Sequence, residues 1–211
     1  MDLSELRIAY RANALSEAQV QPDPVEQFRL WFTEAVAAKP PEPNAMMLAT
    51  IGPDSVPSLR AVLLKGFSAE GFTFFTNYNS RKGLEIDANP NVALLFYWGE
   101  LERQVRISGV ARRTSREVSV EYFSKRPRTS QLGAACSPQS SEISRSELEK
   151  RFLKLSERYD AQTPVPCPEH WGGYMVEPNR FEFWQGRDSR LHDRIEYLRT
   201  ESGWKIVRLA P

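Results

Sequence analysis

From Ala45 to Arg112 the chain is dominated by short runs rich in β-branched and aromatic residues, and this pattern constrains the fold more than anything else in it. AMMLATI (45–51), SLRAVLLK (58–65), GFTFFT (71–76), NVALLFYW (91–98) and RQVRISGVAR (103–112) are the runs, and GPDS, SAEG and NPN punctuate them. Most of these connections are too short for parallel neighbours, which need a crossover of about a dozen residues or more. The texture returns in GGYMV (172–176), RFEFWQ (180–185), RLHDRIEYLR (190–199) and GWKIVRL (203–209). The expected fold is therefore α+β, an antiparallel, Greek-key-like sheet closed into a barrel with flanking helices.

The helices announce themselves by their caps. Asp23, Pro24 and Glu26 make an N-terminal signature, and Val25, Phe28, Phe32 and Val36 follow at helical spacing until KPPEP. A short helix is predicted from Ser80 to DANP. Another runs from a Thr114/Glu117 capping box to Pro127, leaving Ser130 just past its end. The last starts at Ser144 with Glu147 and presents Leu148, Phe152, Leu155 and Tyr159 on one face before TPVPCP. Residues 1–20 are polar and without sustained periodicity, which predicts a mobile N-terminal arm, and 21–211 suit a single domain.

Composition narrows the function classes. With 28 Lys+Arg against 27 Asp+Glu, the net charge of +1 argues against binding nucleic acid by bulk charge. No apolar run approaches the roughly 20 residues of a membrane helix. The start, MDLSELRIAY, carries Asp2 and Glu5 instead of a signal core, so a cytoplasmic location is expected. Cys136 and Cys167 form no CxxC pair, and His170 and His192 are the only histidines, so no metal site is expected. GxGxxG, P-loop, HExxH and GxSxG motifs are all missing.

What remains is cations set among apolar strands and helix starts. Arg60 and Lys65 fall on opposite faces of the run SLRAVLLK, where they are either solvated charges or reach an anion. In NSRKG (79–83), Ser80, Arg81 and Lys82 stand where a strand yields to a helix. Free N–H groups there welcome phosphate, whereas Arg and Lys run against the macrodipole, a local rule broken. Tyr122 and Arg126, four apart, share a helix face near Ser130. This is either an amphipathic helix end or a phosphate grip. As a strand, RLHDR would put Arg190, His192 and Arg194 on one face, with Trp184 and Gln185 nearby. From the residues alone, the reading ends at organic phosphates bound on a barrel.

Taken in order, RAVLLKG, FFTNYNSRKG, LERQVRISG, YFSKRPRTSQLGA, SPQSS, WGGY, EFWQG, RLHDR and WKIVRLAP resemble the pyridoxine (pyridoxamine) 5′-phosphate oxidase family over nearly the whole chain. The resemblance implies an FMN-binding split β-barrel that forms a homodimer with its active sites at the interface. It implies oxidation of pyridoxamine 5′-phosphate or pyridoxine 5′-phosphate to pyridoxal 5′-phosphate, with O2 as acceptor, release of H2O2, and NH3 from the amine. By the same resemblance FMN is held by Arg60, Ala61, Val62, Leu63, Leu64, Lys65, Phe75, Thr76, Arg81 and Lys82, with Gln104, Gln139, Ser140, Trp184 and Arg194 completing its site. Lys65, Tyr122, Arg126 and Ser130 grip the substrate phosphate. Arg190 and His192 act over the substrate ring, and Arg7 and Tyr10 of the arm close over it. Phe75 departs from members that carry Tyr there; a backbone contact survives this change and a hydroxyl contact does not. Three other readings compete: a non-catalytic flavin- or haem-binding barrel, which would lack both the Tyr122/Arg126/Ser130 grip and the Arg190/His192 pair; a pyridoxal-phosphate carrier; and a nucleic-acid binder using the basic stretch 103–128.

Overall fold

In the computed structural model of the chain, residues 10, 13–160 and 162–211 are described. Helix α1 (Pro24–Ala37) begins as its cap predicts, with the Asp23 carboxylate accepting from the Val25 N–H at 2.7 Å. Its buried face is Val25, Phe28, Trp31 and Ala35, so the stripe is rotated from the expected one and Val36 is exposed.

Among the described residues nine strands follow: β1 (Ala45–Ile51), β2 (Pro57–Leu63), β3 (Gly66–Ser68), β4 (Gly71–Asn77), β5 (Asn91–Trp98), β6 (Arg103–Arg113), β7 (Trp171–Gln185), β8 (Asp193–Thr200) and β9 (Gly203–Arg208). Every pairing is antiparallel, in the order β2-β1-β5-β6-β7-β4-β3, with β8 and β9 branching from β7. The branch exists because β7 is one long strand where the sequence reads as two. One edge pairs with β6 from Tyr174 to Gln185, while the other pairs with β4 over Trp171–Val176 and with β8 over Arg180–Gln185. Pro178 does not break β7, because the ladder with β6 slips at Ser108/Gly109 and absorbs an extra residue there. The sheet therefore curls into a split barrel, and among the described residues no ladder joins β2 to β4 to close it as expected.

The core fills this curl. Phe28, Phe72, Phe74, Phe96, Phe181 and Phe183 are fully buried, each contributing about 1.5–3 kcal/mol by removal from water. Residues 13–20 lie against the barrel: Leu15 and Val20 join the core, and Arg208 donates to the Leu15 carbonyl and the Glu17 carboxylate. Arg7 lies outside the described residues.

Helices α2 (Arg81–Ala88), α3 (Arg116–Ser124), α4 (Arg128–Cys136) and α5 (Arg145–Arg158) complete the chain. Ser115, not Thr114, caps α3, accepting from the Val118 N–H; Thr114 instead hydrogen-bonds the Ser119 hydroxyl. Helix α4 was not expected. Pro127 ends one helix and precedes the next, which puts Ser130 in the first turn of α4. No helix among the described residues is long and apolar enough to cross a membrane.

Candidate active site

The strand end of β4 and the start of α2 build the first wall. Ser80 caps α2, and Gly83 lets the helix approach the preceding turn, since a Cβ there would lie 2.1 Å from the Tyr78 carbonyl oxygen. Lys82 is thereby buried, with Nζ donating to Thr76 Oγ1 (3.2 Å), Ser80 Oγ (3.2 Å) and Gln139 Oε1 (3.4 Å). All three partners are neutral. Burial first, and the nearby Arg60 charge second, push the Lys82 amine below its usual range, while Glu85 works the other way. Arg81 is exposed; its N–H donates to Ser140 Oγ (3.1 Å) and its Nε to Glu85.

Helices α3 and α4 supply the facing wall. Phe75 stacks on Tyr122 with centroids 4.0 Å apart and on Trp171 at 5.5 Å. The Arg126 guanidinium sits 4.7 Å over the Trp171 ring. Its Nη1 is buried and has no hydrogen-bond partner, and burial pushes the group below its usual value. The residue is half-buried, and its buried, unpaired nitrogen is a donor that an anion would satisfy. Arg126 lies beyond the end of α3, so it does not share a helix face with Tyr122 as read from the spacing. The chain turns at Lys125 and still brings both to one cavity.

That cavity, about 720 Å3, gathers Ala61, Val62, Leu63, Lys65, Phe75, Thr76, Lys82, Tyr122, Arg126, Ser130 and Gln139. Four residues expected on this wall lie outside it, and Arg81 and Ser140 line a neighbouring cavity with Gln139. Leu64 is buried in the core, and Arg60 turns its guanidinium to the Leu48 carbonyl, Thr50, Ser58 and Glu85. Other arginines of the basic stretch are braces: Arg116 donates to the Cys167, Pro168 and Trp171 carbonyls, and Arg128 to those of Tyr159, Asp160 and Thr163.

A second cluster forms at the far end of β7. Gln104, Trp184 and Arg194 line a separate cavity of about 250 Å3. Arg194 is held by both oxygens of Glu182 (2.9 and 3.1 Å) and by the Ala210 carbonyl (2.7 Å). Tyr10 meets Trp184 at 5.7 Å and His192 at 5.6 Å, both edge-on, and Gly186 leaves the room, since a Cβ there would lie 2.7 Å from the Tyr10 ring. His192 packs on Trp184 at 4.6 Å, and its Nδ1 accepts from the Arg187 N–H (3.1 Å), which leaves Nε2 as the protonated nitrogen of the neutral ring.

The strand-parity reading of RLHDR fails. Asp188–Arg190 is a 3-10 turn, and β8 starts only at Asp193. Ser189 and Arg190 have φ of 57° and 60°, a left-handed pair that costs about 1–3 kcal/mol each, and Arg190 is exposed. Such strain is characteristic of functional loops. Sequence reasoning also missed Glu85 and Trp171. Glu85 stands four residues after Arg81 on α2, a spacing that signals an ion pair, and Trp171 belongs to the quoted WGGY.

The two clusters share no lining residue. Phe75 and Thr76 pair with Gly173 and Gly172 near the start of β7, whereas Gln104 pairs with Trp184 at its end, roughly 40 Å further along the strand.

Residues 32–156 match the model of the pyridoxamine 5′-phosphate oxidase family, and 171–211 match the pyridoxine 5′-phosphate oxidase C-terminal dimerisation region. The chain belongs to the pyridoxamine 5′-phosphate oxidase family. It is 58% identical to the pyridoxine/pyridoxamine 5′-phosphate oxidase of Rubrobacter xylanophilus, over 100% of this chain and 97% of that one. The enzyme of the same name from Bordetella pertussis is 54% identical over 100% of both. Among solved structures, PhzG from Burkholderia lata, in complex with tetrahydrophenazine-1-carboxylic acid, superposes with a TM-score of 0.88 at 29% identity, covering 95% of this chain and 99% of that one. A pyridoxamine 5′-phosphate oxidase-related, FMN-binding protein from Nostoc punctiforme shares the fold (TM-score 0.70, 16% identity, 87% and 97% covered). Family membership makes the protein an oxidoreductase on a split barrel.

Proposed function

We propose that the protein is an FMN-dependent oxidase that converts pyridoxamine 5′-phosphate and pyridoxine 5′-phosphate to pyridoxal 5′-phosphate. O2 takes the electrons, H2O2 is released, and NH3 leaves when the amine is the substrate. The observation that carries this reading is the unpartnered, buried Nη1 of Arg126 in a cavity it shares with Lys65, Tyr122 and Ser130. A guanidinium, an amine and two hydroxyls form a donor set for a phosphate monoester.

The cofactor fits a second grip on the same wall. Lys82 is buried among neutral partners, beside Arg81, Thr76, Gln139 and Ser140, so a second phosphate would find a charged and hydrogen-bonding cradle there. FMN, when bound, supplies the two-electron oxidation. The chain has other work: it binds two phosphates, orients the substrate and excludes water from between the rings. Trp184 offers a flat apolar surface and Gln104 an amide. Arg194, already oriented by Glu182, would hold a bound flavin ring with a cationic donor. Arg190 and His192 would orient the substrate ring, with His192 Nε2 as a donor. Tyr10 covers this end.

The separation of the clusters supports a shared site in a homodimer. Each complete site would take Lys65, Lys82 and Arg126 from one copy and Gln104, Trp184, His192 and Arg194 from the other, in keeping with a dimerisation region over 171–211.

The test is direct. Protein purified with added FMN should carry a flavin spectrum, consume O2 and form peroxide with either phosphorylated substrate in air. A protein that neither retains FMN nor turns over either compound refutes the reading. Binding of tetrahydrophenazine-1-carboxylic acid in preference to either phosphorylated compound would liken it instead to the Burkholderia protein.

A further inference from the structure

One buried carboxylate joins an arginine of β2 to the arginine that opens α2. Glu85 is 4% exposed and reaches out of the helix toward β1 and β2. Its Oε2 accepts from Thr50 Oγ1 (2.5 Å), Ser58 Oγ (2.5 Å) and Arg60 Nη2 (3.1 Å), and its Oε1 accepts from Arg81 Nε (2.7 Å). The donors come from two strands and from the first turn of its own helix. A carboxylate buried only to close a packing gap needs one cation; this one engages two and acts electrostatically on a third, Lys82.

Two consequences follow from this geometry. By taking the Nε edge of Arg81, Glu85 fixes that guanidinium in the plane that leaves both Nη groups free for another acceptor. By tying Arg60 and Arg81 to one point, it sets the distance between β2 and the N-terminus of α2. Charge also balances: Arg60, Arg81 and Lys82 against Glu85 leave two positive charges, about the charge of a phosphate monoester at neutral pH.

We infer that Glu85 is the positioning residue of the cofactor-phosphate cradle, orienting Arg81 and anchoring it through Arg60 to β2, so that the site prefers a phosphorylated flavin. The inference rests on the proposed placement of the FMN phosphate beside Lys82.

The test is the preference for FMN over riboflavin, which share a ring system and differ by the phosphate. The full-length protein and its Glu85→Gln variant are titrated with each flavin, and binding is read by fluorescence quenching. Glu85→Gln should lower the FMN-to-riboflavin affinity ratio about tenfold, the scale of one charge-assisted hydrogen bond, with riboflavin affinity unchanged. Equal weakening of both flavins would mean a merely structural role, and tighter FMN binding would mean that Glu85 competes with the phosphate; either result overturns the inference. If Glu85→Gln does not fold, Glu85→Asp keeps the charge but shortens the reach, and should lower the ratio severalfold; a wild-type ratio overturns it. Lys82→Ala separates the inference from the reading beneath it. If Lys82→Ala collapses the ratio and the Glu85 variants do not, the inference alone fails. If none of these variants changes the ratio, the placement of the cofactor phosphate is wrong.

Discussion

Two cations in one cavity differ in what surrounds them, and that difference predicts different phenotypes. Lys82 is buried among Thr76, Ser80 and Gln139, whereas Arg126 lies over Trp171 with one nitrogen unpartnered. Lys82→Ala should mainly weaken FMN retention, and Arg126→Ala should mainly raise KM for the phosphorylated substrate. Each loses about 1.5–3 kcal/mol, roughly tenfold to a hundredfold. Flavin content after gel filtration and steady-state kinetics separate the two, and release of FMN by Arg126→Ala at unchanged KM would reverse the assignment. At the other cluster, Arg190→Ala should cost about 3 kcal/mol in kcat/KM, the scale of one preorganised donor. His192→Gln should cost less, because its longer amide can still donate near where Nε2 does. Near-normal kcat/KM in Arg190→Ala would make its strained backbone a structural feature only.

Helix α2 shows how an element carries the site. Glu85 ties it to β1 and β2, and Asp87 ties it to Arg113 of β6 and, at 3.0 Å, to the Tyr174 hydroxyl of β7. Gly83→Ala would push a methyl against the Tyr78 backbone, so it should destabilise the protein by about 1–3 kcal/mol and loosen FMN together with the fold. Calorimetry with and without FMN checks this; an unchanged Tm would show that the turn can yield. The Glu85 brace also has a pH signature. Burial raises its carboxyl, but the Ser58, Thr50, Arg81 and Arg60 hydrogen bonds outweigh that and bring it from 4.5 to about 2. A depressed carboxyl contributes stability above its unfolded value, and that contribution is lost as pH falls from about 4.5 toward 2. Glu85→Gln should therefore show a flatter loss of stability over that window, read by urea unfolding; a parallel loss would deny Glu85 this role. Elements of this kind were legible where the signal is local: the caps Asp23, Ser80 and Ser144 and the alternation in β5 and β6 are properties of neighbouring residues. Two features were not. The unity of β7 depends on a bulge at Asn179, beside Pro178, that is settled by pairing with the distant β6, and α4 begins on Pro127, a residue that read alone signals only a helix stop. The site was legible mainly as an ordered set of motifs, because single charges such as Arg60 and Arg128 look alike until their partners are seen.

At the scale of the whole molecule, the long strand β7 forces the argument. It places the Lys82/Arg126 cavity at one end and the Trp184/His192/Arg194 cluster at the other, with no lining residue in common. A site that needs both must be shared between copies, and this predicts complementation between defective chains. At substrate concentrations well below KM, Arg126→Ala and Arg194→Ala homodimers should each lose most of their rate. A dimer with one chain of each kind has one site carrying both substitutions and one carrying neither. The deciding measurement is the rate of pyridoxal 5′-phosphate formation by purified, differentially tagged mixed dimers, compared with each parent variant and with wild type. The account predicts recovery to about half the wild-type rate per dimer, from one intact site in two. Mixed dimers no more active than their parents would show that each copy builds its site alone.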